Sequence, residues 1–196
     1  MPIIVGIDPS LTATGIARID TDDQLHVDVW TITTKGSAQA TLEERLERLR
    51  DIVDQAWNAT TGYGPTGDQH PQQPQADLVL IETPAMSKSN TGTSMLNGLF
   101  WMLVNHLADD VPLVPVGIGQ LKRYATGKGT AAKDAVLLDV ARRYPHVDVR
   151  DNNQADALVL AAMGAEHTGH PIADLPKTHT DALTKVAWPN AVGSAA

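Results

Sequence analysis

The sequence predicts a single mixed α/β domain, and three observations carry that expectation. The β-branched run Ile3, Ile4, Val5 and Ile7 stops at Asp8, as a strand buried on both faces would. A second apolar run, Leu78 to Ile81, also stops at an acid, Glu82. Around these strands lie segments whose apolar residues recur at helical spacing. The length, 196 residues, allows one domain with a substantial core and leaves little room for two.

After Asp8, Pro9 and Ser10 turn the chain, and Thr12, Thr14 and Ile16 return as a second strand. Alternation from Leu25 to Thr33 predicts a third strand, completing an antiparallel meander. Thr41 and Glu44 form a capping-box pattern, and Leu42, Leu46, Leu49, Val53 and Trp57 predict a helix over 41–58. Its Glu43, Glu44, Arg45, Glu47 and Arg48 read as a solvated face. Residues 58–76, rich in Gly, Pro, Gln and Thr, read as a flexible surface loop.

If the Leu78 to Ile81 strand runs parallel to the first, Asp8 and Glu82 emerge at one sheet edge, where open α/β sheets place their ligands. Ser87 to Thr93, with Lys88, suits a polar loop over that edge. Met95 to Leu107 predicts a helix apolar around much of its circumference, buried in its own core or against a second subunit. In the subunit case, Leu99 and Leu103 would hold two copies together. Val111 to Val116 predicts an edge strand, because Pro112 and Pro115 interrupt it.

Residues 119–130 gather Lys122, Arg123 and Lys128 around glycines, with Lys133 one helical turn on; they read as a solvated loop or as a phosphate-contacting segment. Thr130 is the expected cap of a helix that turns Val136, Leu137, Val140 and Tyr144 inward. A last helix begins near Asn152 or Asn153 and carries Asp156 in its first turn, where the helix dipole favours a carboxylate. The expected body of the domain is 1–166, and 167–196 reads as a loosely ordered extension. His167, His170 and His179 lack the patterned spacing of a metal site.

Composition narrows the function. Cysteine is absent, which excludes disulfide frameworks, thiolate metal sites and cysteine nucleophiles. No apolar stretch approaches the ~20 residues that span a bilayer, and no signal-peptide pattern opens the chain, so a cytoplasmic protein is expected. The net charge of −8 disfavours broad electrostatic capture of nucleic acid but permits a local basic patch.

Asp8, Glu82, Asp151 and Asp156 are the candidate acids. Each also has a plainer reading, as a turn-forming or helix-capping residue. Together, with no Cys or well-placed His beside them, they suit hard ions such as Mg²⁺ or Mn²⁺. Two such ions about 3.5–4 Å apart support in-line phosphodiester hydrolysis without a protein nucleophile.

Four segments, GIDPSLTATGIA, LVLIETPAM, QLKRYATGKGTAAKDAV and NNQADALVLAA, together resemble the RuvC family of Holliday-junction resolvases, in order over residues 2–166. The resemblance implies a ribonuclease H-like fold with a five-stranded mixed sheet flanked by helices. It implies a homodimer, no small-molecule cofactor, and Mg²⁺-dependent paired nicking of four-way DNA junctions. By position it assigns Asp8, Glu82 and Asp156 as metal-binding acids, Lys133 as the basic residue near the scissile phosphate and Lys122 as a further basic position. The sequence departs at Asn153, where the family usually has Asp or His; Asp151 or Asn153 would complete the metal set. It departs again at Ala85, where some members carry a stacking aromatic. Lys88, Lys122, Arg123, Lys128 and Lys133 are the expected DNA contacts. A broader branched-DNA nuclease and a non-catalytic junction-binding protein are the competing readings; a nucleotide-binding domain, suggested by the opening motif alone, would need a second phosphate-binding half.

Overall fold

The computed structural model describes residues 1–22, 25–62, 74–84 and 91–189. Five strands form one mixed sheet in the order β3-β2-β1-β4-β5. They are β1 (Ile3–Asp8), β2 (Ala13–Asp20), β3 (His26–Thr33), β4 (Leu78–Glu82) and β5 (Leu113–Val116). The first three make the expected meander, and β4 lies parallel to β1 with Ile7 beside Ile81. That register puts Asp8 and Glu82 at the same sheet edge. Prolines confine β5 to the outer position, where it runs parallel to β4.

Strand alternation divides the core into two layers. Ile3, Val5, Ile7, Val79 and Ile81 pack under α1 (Leu42–Thr61) and α2 (Thr91–Leu107). Ile4, Leu78, Leu80 and Val114 face α3 (Ile118–Thr126), α4 (Lys133–Arg143) and α5 (Asn152–His167). Asp8 and Glu82 share the parity of Ile4 and Leu80, so both belong to the α5 side.

Helix α5 is buried along nearly its whole length and lies almost directly on the sheet backbone. A Cβ on Gly6 would stand 2.1 Å from the Ala157 carbonyl oxygen, and one on Gly15 would stand 2.0 Å from that of Asn153. Only glycine fits at those two crossings.

Several expectations need correction. Helix α1 extends through Thr61 to a left-handed Gly62 cap, and its buried stripe is Leu49, Ile52, Val53 and Ala56, whereas Leu42 is 75% and Leu46 37% exposed. Arg45 and Arg48 are not a solvated face: Arg45 donates to the Ala38 carbonyl, and Arg48 is bound to Leu11 and Thr34. Of the 58–76 loop, residues 63–73 lie outside the described residues. Its flanks are fixed, since the buried Arg18 donates to the carbonyls of Ala59 and Pro74.

Leu99, Leu103 and Leu107 are wholly buried in this chain's own core and so cannot hold a second copy; the exposed apolar group of α2 is Trp101, 66% exposed. Residues 118–126 form a helix rather than a loop, because Leu121, Tyr124 and Ala125 supply a buried face and Gly127, at φ 77°, ends it. Helix α4 starts three residues after Thr130, with Ala132 at its N-cap. The extension, through residue 189, is packed rather than loose. Its α6 (Lys177–Thr180) and a following 3₁₀ turn (Leu183–Lys185) lie on α3, with Ala182 and Val186 buried. His179 Nδ1 donates to the Tyr124 carbonyl (2.8 Å), and Trp188 stacks on His167 at 3.7 Å.

Gly6→Ala tests the α5 contact. The added methyl meets backbone rather than a yielding side chain, so the variant should lose at least ~3 kcal/mol of unfolding free energy or fail to fold. Denaturant titration checks this.

Candidate active site

Three elements deliver the acids. Strand β1 ends at Asp8, β4 ends at Glu82, and α5 brings Asp156 within the electrostatic reach of both. Asp8 and Asp156 are buried, 8% and 3% exposed, and Glu82 is half-buried. Burial raises all three pKa values. Asp8 is pushed well above the ordinary carboxylate range by burial and then by the charges of Glu82 and Asp156. Glu82 rises to about 7 through burial and the charge of Asp156. Asp156 rises to about 6 through burial. Lys133 opposes the rise at all three acids, and Lys122 opposes it at Glu82 and Asp156. Arg123 and Lys128 exert no such pull on them.

An open cleft of about 520 Å³ reaches the acids; Asp8, Glu82, Lys133 and Asn153 line it, and the turn Pro9–Thr12 forms one wall. Asn153 and Asp156 stand three apart on one face of α5. Asp151 caps α5, with Oδ1 accepting from Gln154 N (2.8 Å) and Oδ2 from Thr31 Oγ1 (3.0 Å), and its charge also acts on Asp8. Gln154 Nε2 also donates to Thr31 Oγ1 (3.0 Å), tying the start of α5 to β3. Sequence reasoning missed Thr31 and Gln154, because their partners lie more than a hundred residues away along the chain. Lys88 and Ala85 lie outside the described residues.

Among the described residues, no three His, Asp or Glu side chains are drawn close enough together to enclose a metal ion. Asp8, Glu82 and Asp156 still fit a divalent cation by their chemistry. The donors are hard oxygens, Glu82 Oε2 is buried without a hydrogen-bond partner, and mutual repulsion is what a cation would relieve. Among the described residues, no helix is long and apolar enough to cross a membrane.

No protein-family model matches the chain. The crossover junction endodeoxyribonuclease RuvC of Gluconacetobacter diazotrophicus is 30% identical over 169 residues, covering 84% of this chain and 90% of that protein. The protein of the same name from Paracidovorax citrulli is 30% identical over 175 residues, covering 88% of each. The Thermus thermophilus RuvC structure superimposes with a TM-score of 0.61 at 20% identity, covering 86% of this chain and 97% of that one. The same protein in complex with Holliday junction substrate also gives 0.61, at 19% identity, over 87% of this chain and 98% of that one. These likenesses place the sheet and its helices in the ribonuclease H-like resolvase fold.

The raised pKa values fix the sign of a pH dependence. Glu82 and Asp156 have ordinary values of 4.5 and 3.8, so between about pH 4 and 7 the folded protein holds protons that the unfolded chain has released. Stability is therefore greatest below that window and falls as pH rises through it. Metal-free protein should lose about 1–3 kcal/mol from pH 4 to 7.5, and Glu82→Gln should flatten the loss. Denaturation midpoints at the two pH values measure it.

Proposed function

We propose that this chain, which belongs to the RuvC family of crossover junction endodeoxyribonucleases, resolves four-way DNA junctions by hydrolysing one phosphodiester in each of two strands. The observation that carries the reading is that β1 and β4, paired in parallel, end at Asp8 and Glu82, which line one cleft with Lys133, with Asp156 of α5 within reach of their charge. The RuvC relatives bear the activity in their names, and one solved relative is bound to Holliday junction substrate.

In this reading Asp8, Glu82 and Asp156 hold Mg²⁺, two ions per site, with Mn²⁺ as a substitute. The bound cations supply Lewis-acid activation and neutralise charge on the scissile phosphate. The chain's own part is placement. Burial strips the acids of competing water, the two lysines favour their ionised forms, and the Lys133 ammonium meets a phosphate oxygen at the cleft mouth. Asn153 contributes its amide oxygen beside Asp156. Asp151 serves as the α5 cap, since both its oxygens are engaged. Lys122, Arg123 and Lys128 contact flanking phosphates from α3 and the turn after it.

A four-way junction is close to two-fold symmetric, so paired nicks call for two copies of the chain. Helix α2 supplies the surface: Ser94, Asn97, Gly98, Trp101 and Asn105 fall on its outer face, and a Cβ at Gly98 would meet nothing within 4 Å. That open strip lets a second α2 approach while Trp101 is buried. Trp101→Glu should therefore yield folded monomers by light scattering and lose the pairing of the nicks. An unchanged dimer mass would refute the assignment.

Cleavage of a labelled mobile junction in Mg²⁺, with fork and linear duplex controls, tests the function. Wild type should nick the junction symmetrically. Asp8→Asn should bind it and cut at least ~10³-fold more slowly, whereas Asp151→Asn, which keeps a capping side chain, should lose less than ~10-fold. Equal cutting of junction and fork would identify a broader branched-DNA nuclease. Binding without cutting in Mg²⁺ or Mn²⁺ would identify a non-catalytic junction-binding protein.

A further inference from the structure

The turn after Asp8 is held from behind by a residue that no part of the proposed chemistry uses. Arg48, on α1, donates through Nη2 to the Leu11 carbonyl and through Nε to Thr34 Oγ1 (3.0 Å). Thr34 Oγ1 donates to the same Leu11 carbonyl (2.7 Å), and Thr34 N to the Thr12 carbonyl (3.1 Å). The apex of the turn is thus tied to α1 and to the end of β3 by a closed set of bonds. The turn is also stiff within itself: Thr14 Oγ1 donates to the Ser10 carbonyl (2.7 Å), and Ser10 Oγ accepts from Thr12 N and Ala13 N (3.4 and 3.3 Å). A stiff turn moves as one piece, and Arg48 sets where that piece stands.

Pro9, Ser10, Leu11 and Thr12 line the same cleft as Asp8, Asn153 and Lys133 and form one wall of it. We propose that Arg48 is a positioning residue that fixes this wall, and with it the width of the cleft presented to the scissile strand. The inference rests on the junction-cleaving reading above. Gly36 gives it a second handle: a Cβ there would stand 1.8 Å from Arg48 Nη1. Gly36 does not sit in the left-handed region, so its backbone accepts alanine, and the methyl displaces the guanidinium without removing it.

A different role for Arg48 is open to test. With Lys35 and Arg45 it lines a groove of about 710 Å³ behind the turn, and a cation there could instead contact a DNA phosphate. A phosphate contact acts on binding and its salt dependence. A positioning residue acts on the rate once substrate is bound.

The experiment compares wild type with Arg48→Ala, Arg48→Lys and Gly36→Ala by three measurements. Amide hydrogen exchange at Thr34, whose N–H spans to the Thr12 carbonyl of the turn, is read on metal-free protein without DNA. Junction affinity is read at two salt concentrations, and the single-turnover cleavage rate at saturating enzyme in Mg²⁺. Arg48→Ala and Gly36→Ala should each speed exchange at Thr34 about ten-fold while β1 and β4 amides stay protected. Both should slow cleavage about ten-fold with Kd changed less than about two-fold, and Arg48→Lys, with one donor group in place of a fork, should fall between. Unchanged exchange in both variants overturns the proposal, as does faster exchange with an unchanged rate. Weaker, less salt-dependent binding with normal exchange and rate makes Arg48 a phosphate contact and overturns it too. If wild type itself does not cut, the junction-cleaving reading fails, and exchange alone still decides whether Arg48 holds the wall. Should Arg48→Ala not fold, Gly36→Ala and Arg48→Lys carry the same comparison.

Discussion

Everything at the cleft depends on one close approach, the packing of the α5 backbone against β1 and β2 across Gly6 and Gly15. A helix normally stands off a sheet by the length of its side chains. Here the sheet has no side chain at either crossing, and Ala157 and Ala161 are what α5 turns toward Gly6. The result is that Asp156, near the first turn of α5, comes down beside strand-end acids that a standard helix–sheet spacing would hold it away from. Three carboxylates thus come to share one electrostatic field. Burial is the first cause of their raised pKa values, repulsion adds to it at Asp8 and Glu82, and the remaining stability of the core has to offset both.

This explains why the acids could be picked out from sequence while their company could not. Asp8 and Glu82 were legible because a buried parallel strand is written as a continuous apolar run, and an acid ending two such runs is conspicuous. The sheet itself was legible for the same reason, with the prolines of β5 marking its edge. Asp156 was placed by resemblance and by its helix position. Its closeness to Asp8 depends on glycines whose significance lies in a backbone contact made some 150 residues away. Periodicity carries no record of such a contact.

The misjudged elements share a cause. Leu42 and Leu46 continue the apolar spacing of α1 but are exposed, and Leu99 and Leu103 face inward while Trp101 does not. Helical periodicity shows that a face is apolar; it does not show what lies opposite. Residues 119–130 read as a loop because Gly119, Gly127 and Gly129 punctuate them, yet Leu121, Tyr124 and Ala125 bury one side of 118–126 and tertiary packing overrides propensity.

An acidic chain acting on a polyanion is reconciled by where its charges lie. The net charge of −8 includes acids buried at the cleft, whose burial and mutual repulsion favour protonation until a cation arrives. Lys122 and Lys133 sit on separate helices, α3 and α4, yet both act on the same acids. Their positions relative to α5 are held by Tyr124, whose hydroxyl donates to the Ala162 carbonyl (3.2 Å) and to Glu166 (2.8 Å), and by Arg143, which donates to the Ala125 carbonyl (2.7 Å). The extension beyond residue 167 closes the same assembly from outside, with His179 on the Tyr124 carbonyl. The local balance at the cleft is therefore a property of how α3, α4 and α5 are locked together. It is this balance, rather than the sum over the chain, that a phosphate entering the cleft would meet.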